Sequence, residues 1–173
     1  STADRDTATG LINFDIDASG NLHFKGNITH CGVIVLAQTY NDDLAYHYGE
    51  NIGDESYYLG VDGWYAPAVN MHRTAFSGRN SEYYSEDPFV GGHIASLECK
   101  GVASRGMYVF VKHFAVNDQE NHRGDRDGQF SIATFLNEQA AREIYLKTFE
   151  MCIKTDDVQM NYAKDNGDGT YSN

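Results

Sequence analysis

The sequence has few positive charges. Its 13 lysines and arginines stand against 25 aspartates and glutamates, which gives a net charge of −12 at pH 7. A surface of this sign repels phosphate groups, and this argues against DNA, RNA or an anionic membrane as the partner. The charge does not bear on a neutral ligand, so an uncharged substrate stays open.

Cysteine is also scarce. The three cysteines, Cys31, Cys99 and Cys152, are odd in number and lie among apolar neighbours. Their spacing fits neither a disulfide framework nor a metal site. We therefore predict three buried free thiols, which are typical of a reducing compartment.

Long apolar runs and a leader pattern are absent as well. No stretch approaches the length that spans a bilayer, and no signal-peptide pattern opens the sequence. Together with the free thiols this favours a cytoplasmic location, although secretion after removal of a leader stays open because the sequence begins at Ser1. With 173 residues, 41% of them hydrophobic, the chain has the size of one packed domain.

The hydrophobic pattern predicts strands that alternate with helices. Apolar residues alternate with polar ones on both sides of a turn-forming stretch, which predicts an N-terminal hairpin over 11–24. Further on, apolar runs predict buried strands and amphipathic spacing predicts helices. The predicted strands are 33–37, 63–69 and 107–111, and the predicted helices are 41–60, 88 to about 101, and 131–154. This order is typical of the α/β class with a parallel sheet.

Helix-capping residues sharpen two of these predictions. Asn41 or Asp42 can cap the first long helix and Gly60 can end it, while Asp87-Pro88 has the composition of a helix start. Residues 1–10 are polar, and the segment after Thr155 is rich in turn-forming residues, with a short strand predicted around 158–160.

Polar loops follow two of the predicted strands. Lys112-His113 comes directly after the strand at 107–111 and begins an acidic and amide-rich loop that runs to Arg123. A second polar loop, 78–88, follows the strand at 63–69. Ligands bind at the carboxyl ends of parallel strands, and long ordered loops there usually carry function. We expect a functional site where the two loops meet.

Three segments resemble glycoside hydrolase family 3, the β-glucosidase-like enzymes. They are 59–88, 112–123 and 137–150, and their order and spacing match the family over about residues 33–162. The resemblance implies a fold made of parallel βα units that form part of a (β/α)₈ TIM-like barrel. A full barrel takes about 250 residues, so a chain of this length would hold only the middle of one.

The resulting domain prediction is a single domain over 1–173. It comprises an N-terminal β-hairpin extension (1–30), a partial TIM-like barrel (31–162) and a loose tail (163–173).

The resemblance also implies site residues. In the family, the residues matching Arg79, Lys112, His113 and Arg123 bind hydroxyls of the sugar in subsite −1, and Tyr162 matches a tyrosine near the nucleophile. Fixed cations donate charge-assisted hydrogen bonds to such hydroxyls, and these can tighten as the ring flattens towards the transition state. The implied substrate is a β-glucoside or oligosaccharide, with no cofactor and no metal.

The catalytic carboxylates of the family have no match in the sequence. The family's nucleophile is an aspartate in a Ser-Asp-Trp-type motif after the fifth strand, its acid/base residue lies in a second domain, and an Asp-Gly-Pro motif that binds the sugar is also without a match. Retaining glycosidases need two carboxyl groups about 5 Å apart. We therefore expect a fragment or shortened homologue of a retaining β-glucosidase that carries sugar-binding residues and is inactive by itself.

Several alternatives stay open. Arg79 could form a loop ion pair with Glu82, Glu86 or Asp87, and Arg123 could belong to a solvated charge cluster. A metal site would need four residues whose geometry nothing fixes: His113, Asp118, Glu120 and His122. The alternative function is a non-catalytic half-barrel module that binds a saccharide, the missing barrel half or a second copy through its open sheet edges.

Overall fold

The structure is a computed structural model. It describes residues 14–16, 18, 22–24, 30–121, 123–124, 132–155, 164–165 and 171–172. The predictions for residues 1–10, for the strand around 158–160, and for His122 and Tyr162 lie outside the described residues.

The N-terminal hairpin is confirmed. Strand β1, Phe14–Ile16, pairs antiparallel with β2, Leu22–Phe24, so that Phe14 lies opposite Phe24. The alternation of apolar and polar residues on both sides of a turn identified this pair correctly.

The strand predicted at 33–37 is wrong, because this segment forms a helix. Helix α1 is Val33–Ala37, and it buries Leu36 and Ala37 together with part of Val33, while Val35 is 57% exposed. Burial at positions i, i+3 and i+4 is the pattern of one helix face. A five-residue apolar run fits a helix or a strand equally well, and tertiary packing decides between them.

Helix α2, Asp42–Leu59, has the predicted ends. The Asn41 side chain accepts a hydrogen bond from the Leu44 amide at 2.9 Å, and Gly60 ends the helix at φ +68°, in the left-handed region where glycine carries no Cβ strain. Helix α3, Pro88–Ala103, begins as predicted, because Asp87 accepts from the amides of Phe89 and Val90, and it runs two residues beyond Gly101.

Helices α2 and α3 pack with their backbones in direct contact. A Cβ atom on Gly49 would lie 2.2 Å from the Glu98 carbonyl oxygen, and one on Gly101 would lie 2.1 Å from the Tyr46 carbonyl oxygen. No side chain fits in either space, so both glycines are required by the packing of the two helices.

Two short strands form the parallel sheet. Strand β3, Gly63–Trp64, pairs in parallel with β4, Tyr108–Val109, and a further bridge joins Ala68 to Lys112. The strands are shorter than predicted because the regular pairing is interrupted between Trp64 and Ala68. The parallel direction is as expected, and it brings the ends of both segments to the same edge.

The C-terminal helix begins later than predicted. Asn137 caps it by accepting from the Ala140 amide at 2.8 Å, so residues 132–137 are not helical and Phe135 is 93% exposed. Helix α4, Glu138–Ala140, leads through a π-helical turn, Ala141–Tyr145, into α5, Lys147–Ile153. In the predicted loose tail, β5 (Lys164–Asp165) pairs antiparallel with β6 (Tyr171–Ser172).

The core lies between the helices and the sheet. Its largest cluster joins α1, α2, α3 and α5. Val109 of β4 and Val111, two residues further along, pack against it. Cys99 and Cys152 are buried free thiols there, as predicted. The prediction is wrong for Cys31, which is exposed, because the chain just before α1 lies on the surface. None of the helices in the described part of the chain is long and apolar enough to cross a membrane.

Candidate functional site

The two polar loops meet at the carboxyl ends of β3 and β4, as expected. His113 lies directly after the bridge between Ala68 and Lys112, which extends the pairing of β3 and β4. Arg79 lies in the loop that follows Ala68. The Arg79 Nη2 atom lies 2.7 Å from the His113 Nε2 atom. Hydrogen bonds between Lys112 and the chain at Pro67 and Val69 hold the two segments side by side at this point.

Glu82 links Lys112 to Arg79. One oxygen of Glu82 accepts from the Arg79 Nε atom, and the other lies 3.4 Å from the Lys112 Nζ atom. The Lys112 ammonium also lies 5.1 Å from the centre of the Tyr65 ring, which is 71% exposed. Desolvation acts to raise the pKa of Glu82, but Arg79 and Lys112 outweigh it and hold that pKa below its ordinary value.

Glu120 links Arg79 to Arg123. Its Oε1 atom lies 3.2 Å from Arg79 Nη1 and 2.8 Å from Arg123 Nη1, and it also accepts from the Asn117 amide group at 3.2 Å. Desolvation again acts to raise the pKa of Glu120, and these donors outweigh it, so the pKa lies below the ordinary value. Three cations are therefore fixed by two carboxylates.

Arg79 is the centre of this network. Its pKa is raised, above all by the hydrogen bond to Glu82, so it is a permanent donor. The ion pair with Glu82 was predicted as an alternative to a binding role for Arg79. The structure shows that pair together with the contacts to His113 and Glu120, while Asp87 caps α3 instead.

His113 is held from both sides of its ring. Its Nδ1 atom lies 3.2 Å from the Asn70 Oδ1 atom, opposite the contact between Nε2 and Arg79. Burial lowers the pKa of His113, and the positive charge of Arg79 lowers it further. His113 is therefore a neutral imidazole within a group of cations.

A buried support lies beneath the network. Asp118 accepts from the Met71 amide at 2.6 Å, and burial raises the pKa of this carboxyl. The His72 Nε2 atom lies 2.9 Å from the Asn80 carbonyl oxygen and 3.0 Å from that of Tyr83, and the Tyr83 hydroxyl donates to the Asn117 carbonyl. The Asp118 and Tyr83 contacts fasten the 70–83 loop to the 112–123 loop, and the His72 contacts hold the 70–83 loop together.

The sequence analysis predicted the cations of the site but missed most of the residues that hold them in place. Arg79, Lys112, His113 and Arg123 form one connected group. Glu82 was named only as a competing ion-pair partner, and Glu120 only as a member of the metal alternative. Asn70 carried no recognisable signal of its own.

The metal alternative finds no support in the described part of the chain. No group of three or more His, Cys, Asp or Glu side chains there is arranged to hold a metal ion. Glu120 binds the two arginines, Asp118 binds a backbone amide, and His113 faces Asn70 and Arg79.

The arrangement suits a ligand that carries hydroxyl groups. Three cations offer strong donors, and hydroxyl oxygens accept such hydrogen bonds. Both carboxylates in the network are occupied by cations, so neither is a free nucleophile.

The fold and the site define an α/β domain that gathers cations and an imidazole at the carboxyl ends of its parallel strands. The sequence model of the glycosyl hydrolase family 3 N terminal domain matches residues 12–163. The chain belongs to glycosyl hydrolase family 3.

Similar proteins with curated names are β-glucosidases. The chain is 42% identical over 120 residues to beta-glucosidase A of Butyrivibrio fibrisolvens, an alignment that covers 69% of this chain and 14% of that protein. It is 40% identical over 134 residues to beta-glucosidase B of Emericella nidulans, covering 76% of this chain and 15% of that protein. The chain thus spans about one-seventh of the length of these relatives.

A solved structure gives the same result. Beta-glucosidase 3B of Thermotoga neapolitana in complex with glucose matches with a TM-score of 0.67 and 36% sequence identity. The match covers 89% of this chain and 22% of that one. The family prediction made from the three segments is therefore confirmed.

Proposed function

We propose that this chain is part of the catalytic barrel of a retaining β-glucosidase, and that it holds the sugar of a β-D-glucoside in subsite −1. Arg79, Lys112 and Arg123 donate to the sugar hydroxyls, and His113 completes the group. The observation that carries the proposal is the joining of the three cations into one network by Glu82 and Glu120, with His113 held against Arg79.

The barrel assignment is part of the same proposal. Two parallel segments side by side, with α3 packed against them, are what one βα unit of a TIM-like barrel and the start of the next provide. The relatives named above are β-glucosidases, which supports the assignment.

The carboxylates of the network serve the cations rather than turnover. Glu82 and Glu120 are each bound by cations that keep them ionised and occupied, so we assign them to positioning the cations rather than to attacking the anomeric carbon. We propose that the nucleophile and the acid/base residue come from other parts of the protein. Tyr162, matched to a family tyrosine, stays a prediction.

A titration of the chain with glucose tests the sugar-binding half. We expect glucose to change the fluorescence of Trp64, which lies in β3, and to shift the amide resonances of the 112–121 loop. Arg79→Met should weaken these changes at least about tenfold, since it removes a charge-assisted donor. Arg142→Met is the matched control, because Arg142 is exposed and pairs with Glu138 on the surface of the C-terminal helix. Equal binding by Arg79→Met would contradict the proposal.

A turnover assay tests the catalytic half. With a nitrophenyl β-glucoside, the purified chain should show no hydrolysis above background. Robust turnover would show that the catalytic carboxylates lie within this chain, and it would overturn their assignment to other parts of the protein.

A second candidate is a non-catalytic half-barrel module that binds a partner chain or a second copy. It is favoured by the groove of about 270 Å³ along β4, which is lined by apolar residues that include Met107, Val109, Val111 and Ile153. Ile153, Phe110 and Tyr108 are partly or largely exposed there. Light scattering decides: a concentration-dependent dimer supports this alternative, and a monodisperse monomer counts against it.

A further inference from the structure

Asn70 is a buried residue that touches His113 at three points. It is 4% exposed, and it lies just after the bridge that joins the two parallel segments. Its Oδ1 atom accepts from the His113 backbone N–H at 2.8 Å, and its Nδ2 atom donates to the His113 carbonyl oxygen at 3.1 Å. The third contact, at 3.2 Å, joins Oδ1 to the ring Nδ1 atom.

The two backbone contacts fix the orientation of the Asn70 amide. A backbone N–H can only donate and a backbone carbonyl can only accept. The oxygen of the amide must therefore face the His113 N–H, and its nitrogen must face the His113 carbonyl. No choice of amide orientation remains, although asparagine oxygen and nitrogen are often ambiguous.

The fixed amide determines which ring nitrogen of His113 carries the proton. The Nδ1 atom faces the Asn70 oxygen, which only accepts, so Nδ1 carries the hydrogen. The Nε2 atom faces the Arg79 guanidinium, which only donates, so Nε2 is the acceptor. Two neighbours on opposite sides of the ring require the same tautomer.

We propose that Asn70 is a positioning residue that fixes His113 as the Nδ1–H tautomer and directs the Nε2 lone pair into the sugar-binding network. The role in sugar binding rests on the function proposed above. With Nε2 accepting from Arg79, His113 holds the guanidinium in place, and Arg79 and Lys112 donate to the sugar hydroxyls.

Burial and the charges around His113 keep its Nε2 atom unprotonated at neutral pH. Burial lowers its pKa first, Arg79 lowers it further, and Lys112 and Arg123 act in the same direction, while Glu82 opposes them. Protonation would place a hydrogen on Nε2 directly against the guanidinium. The imidazole therefore stays neutral and Nε2 stays unprotonated.

Two-bond ¹H–¹⁵N correlation spectra of the histidine rings, recorded on the whole 173-residue chain, test the proposal. His113 is assigned by its loss in His113→Gln. His72 is an internal comparison, because its Nε2 atom faces two backbone carbonyls and must carry the hydrogen. We expect opposite tautomers for the two rings, Nδ1–H for His113 and Nε2–H for His72. An Nε2–H tautomer for His113 would overturn the proposal.

Variants separate the contribution of Asn70 from that of Arg79. Arg79→Met should leave the Nδ1–H tautomer in place, because Asn70 remains, and should raise the pKa of His113. Adding Asn70→Leu to Arg79→Met removes the acceptor as well, so the Nδ1–H fraction of His113 should fall. An Nδ1–H fraction in this double variant equal to that of Arg79→Met would overturn the role of Asn70.

Asn70→Asp keeps the test decisive if Asn70→Leu does not fold. The carboxylate retains the acceptor beside Nδ1 and stabilises the imidazolium, so the tautomer should persist and the His113 pKa should rise by about one unit or more. An unchanged pKa would overturn the proposal.

Addition of glucose separates the positioning role from the proposed function. A shift of the His113 Nε2 resonance supports both. If the tautomers and the variants behave as expected but glucose shifts neither His113 nor its neighbours, the sugar site is wrong and the positioning role stands.

Discussion

Two glutamates have pKa values that are shifted in opposite directions. Glu82 belongs to the strand-end network, the group of six side chains at the carboxyl ends of β3 and β4, and Glu98 lies in α3, which packs on α2. The network consists of Arg79, Glu82, Lys112, His113, Glu120 and Arg123. Glu82 lies among cations, and after desolvation is set against Arg79 and Lys112 its pKa lies below the ordinary value. Glu98 lies fully buried in α3, and desolvation raises its pKa to about 8, with only a partial counter-effect from the Tyr84 hydroxyl. At pH 7 the direction of these shifts favours the anion at Glu82 and the neutral acid at Glu98.

The two sites also differ in solvent exposure and in the number of hydrogen-bond partners of their carboxylates. The carboxylates of the strand-end network are partly exposed and hold donors that a ligand can reach. Glu98 has one oxygen bound to Tyr84 and another, Oε1, without a partner among the described residues. A buried acid with one hydrogen-bond partner costs stability, and a partly exposed one with several partners contributes it.

The largest effect is expected at the helix interface. Gly101→Ala places a Cβ atom 2.1 Å from the Tyr46 carbonyl oxygen, which forces α2 and α3 apart. We expect a loss of about 3 kcal/mol or more in the free energy of unfolding, at the upper end for overpacked sites. Urea denaturation measures it. Gly60→Ala is the control, since open space surrounds Gly60 and only its positive φ opposes a side chain, at about 1 kcal/mol. Equal losses would contradict the close packing.

The next effect is a pH dependence that Glu98 imposes. Its folded-state pKa of about 8 lies above the ordinary value of 4.5, so the folded state keeps a proton that the unfolded state loses. Its contribution is fully present below pH 4.5 and is lost as pH rises towards about 8, by about 1.4 kcal/mol per unit.

Glu98→Gln should remove this slope, so that the variant gains about 3 kcal/mol on the parent chain between about pH 5 and about pH 8. Denaturation at about pH 5 and about pH 8 measures the difference. The same slope in both chains would show that another group is responsible.

The stability contribution of Glu82 depends on pH in the opposite direction to that of Glu98. Because its folded pKa is depressed, its contribution is present above the ordinary value of 4.5 and is lost as pH falls through the folded pKa. Glu82→Gln removes the carboxylate that joins Arg79 to Lys112, and it should cost about 1–2 kcal/mol at pH 7. At about pH 3 the variant and the parent should differ little. A loss of equal size at both pH values would mean that shape, not charge, explains the effect.

The smallest effect is expected at the exposed pair of Arg142 and Glu138. Their side chains are largely solvent-exposed and lie one helical turn apart, with a 2.9 Å contact. Arg142→Ala should change stability by no more than about 0.5 kcal/mol, in line with exposed ion pairs. A loss above about 1 kcal/mol in urea denaturation would give this pair a structural role that its exposure does not suggest.

Local signals in the sequence predicted the long helices well. Asn41, Gly60 and Asp87 mark the ends of α2 and the start of α3, and each acts within three or four residues of its own position. The segment at 33–37 had no such marker, and its conformation depends on packing against α3, which lies far along the chain. Local patterns therefore determined the capped elements but not the short apolar one.

The cations of the site could be predicted, but their supports could not. Lys112 and His113 follow a strand, so their place at the carboxyl edge was predictable from the parallel arrangement. Asn70 contacts His113 because Ala68 and Lys112 pair across the sheet. No local pattern around Asn70 indicates a partner 43 positions away in the sequence. Glu98 was missed because a glutamate within a helix normally points to solvent.

The parallel pairing also decides when the network can form during folding. The contacts that define it span 34 residues between Arg79 and His113, 41 between Arg79 and Glu120, and 43 between Asn70 and His113. Helices α2 and α3 can form from neighbouring residues, whereas these contacts require the closure of long loops, which costs entropy before any contact is gained. A chain with its full helix content can therefore still lack the network, and the state of the His113 ring reports the completion of folding more faithfully than circular dichroism does.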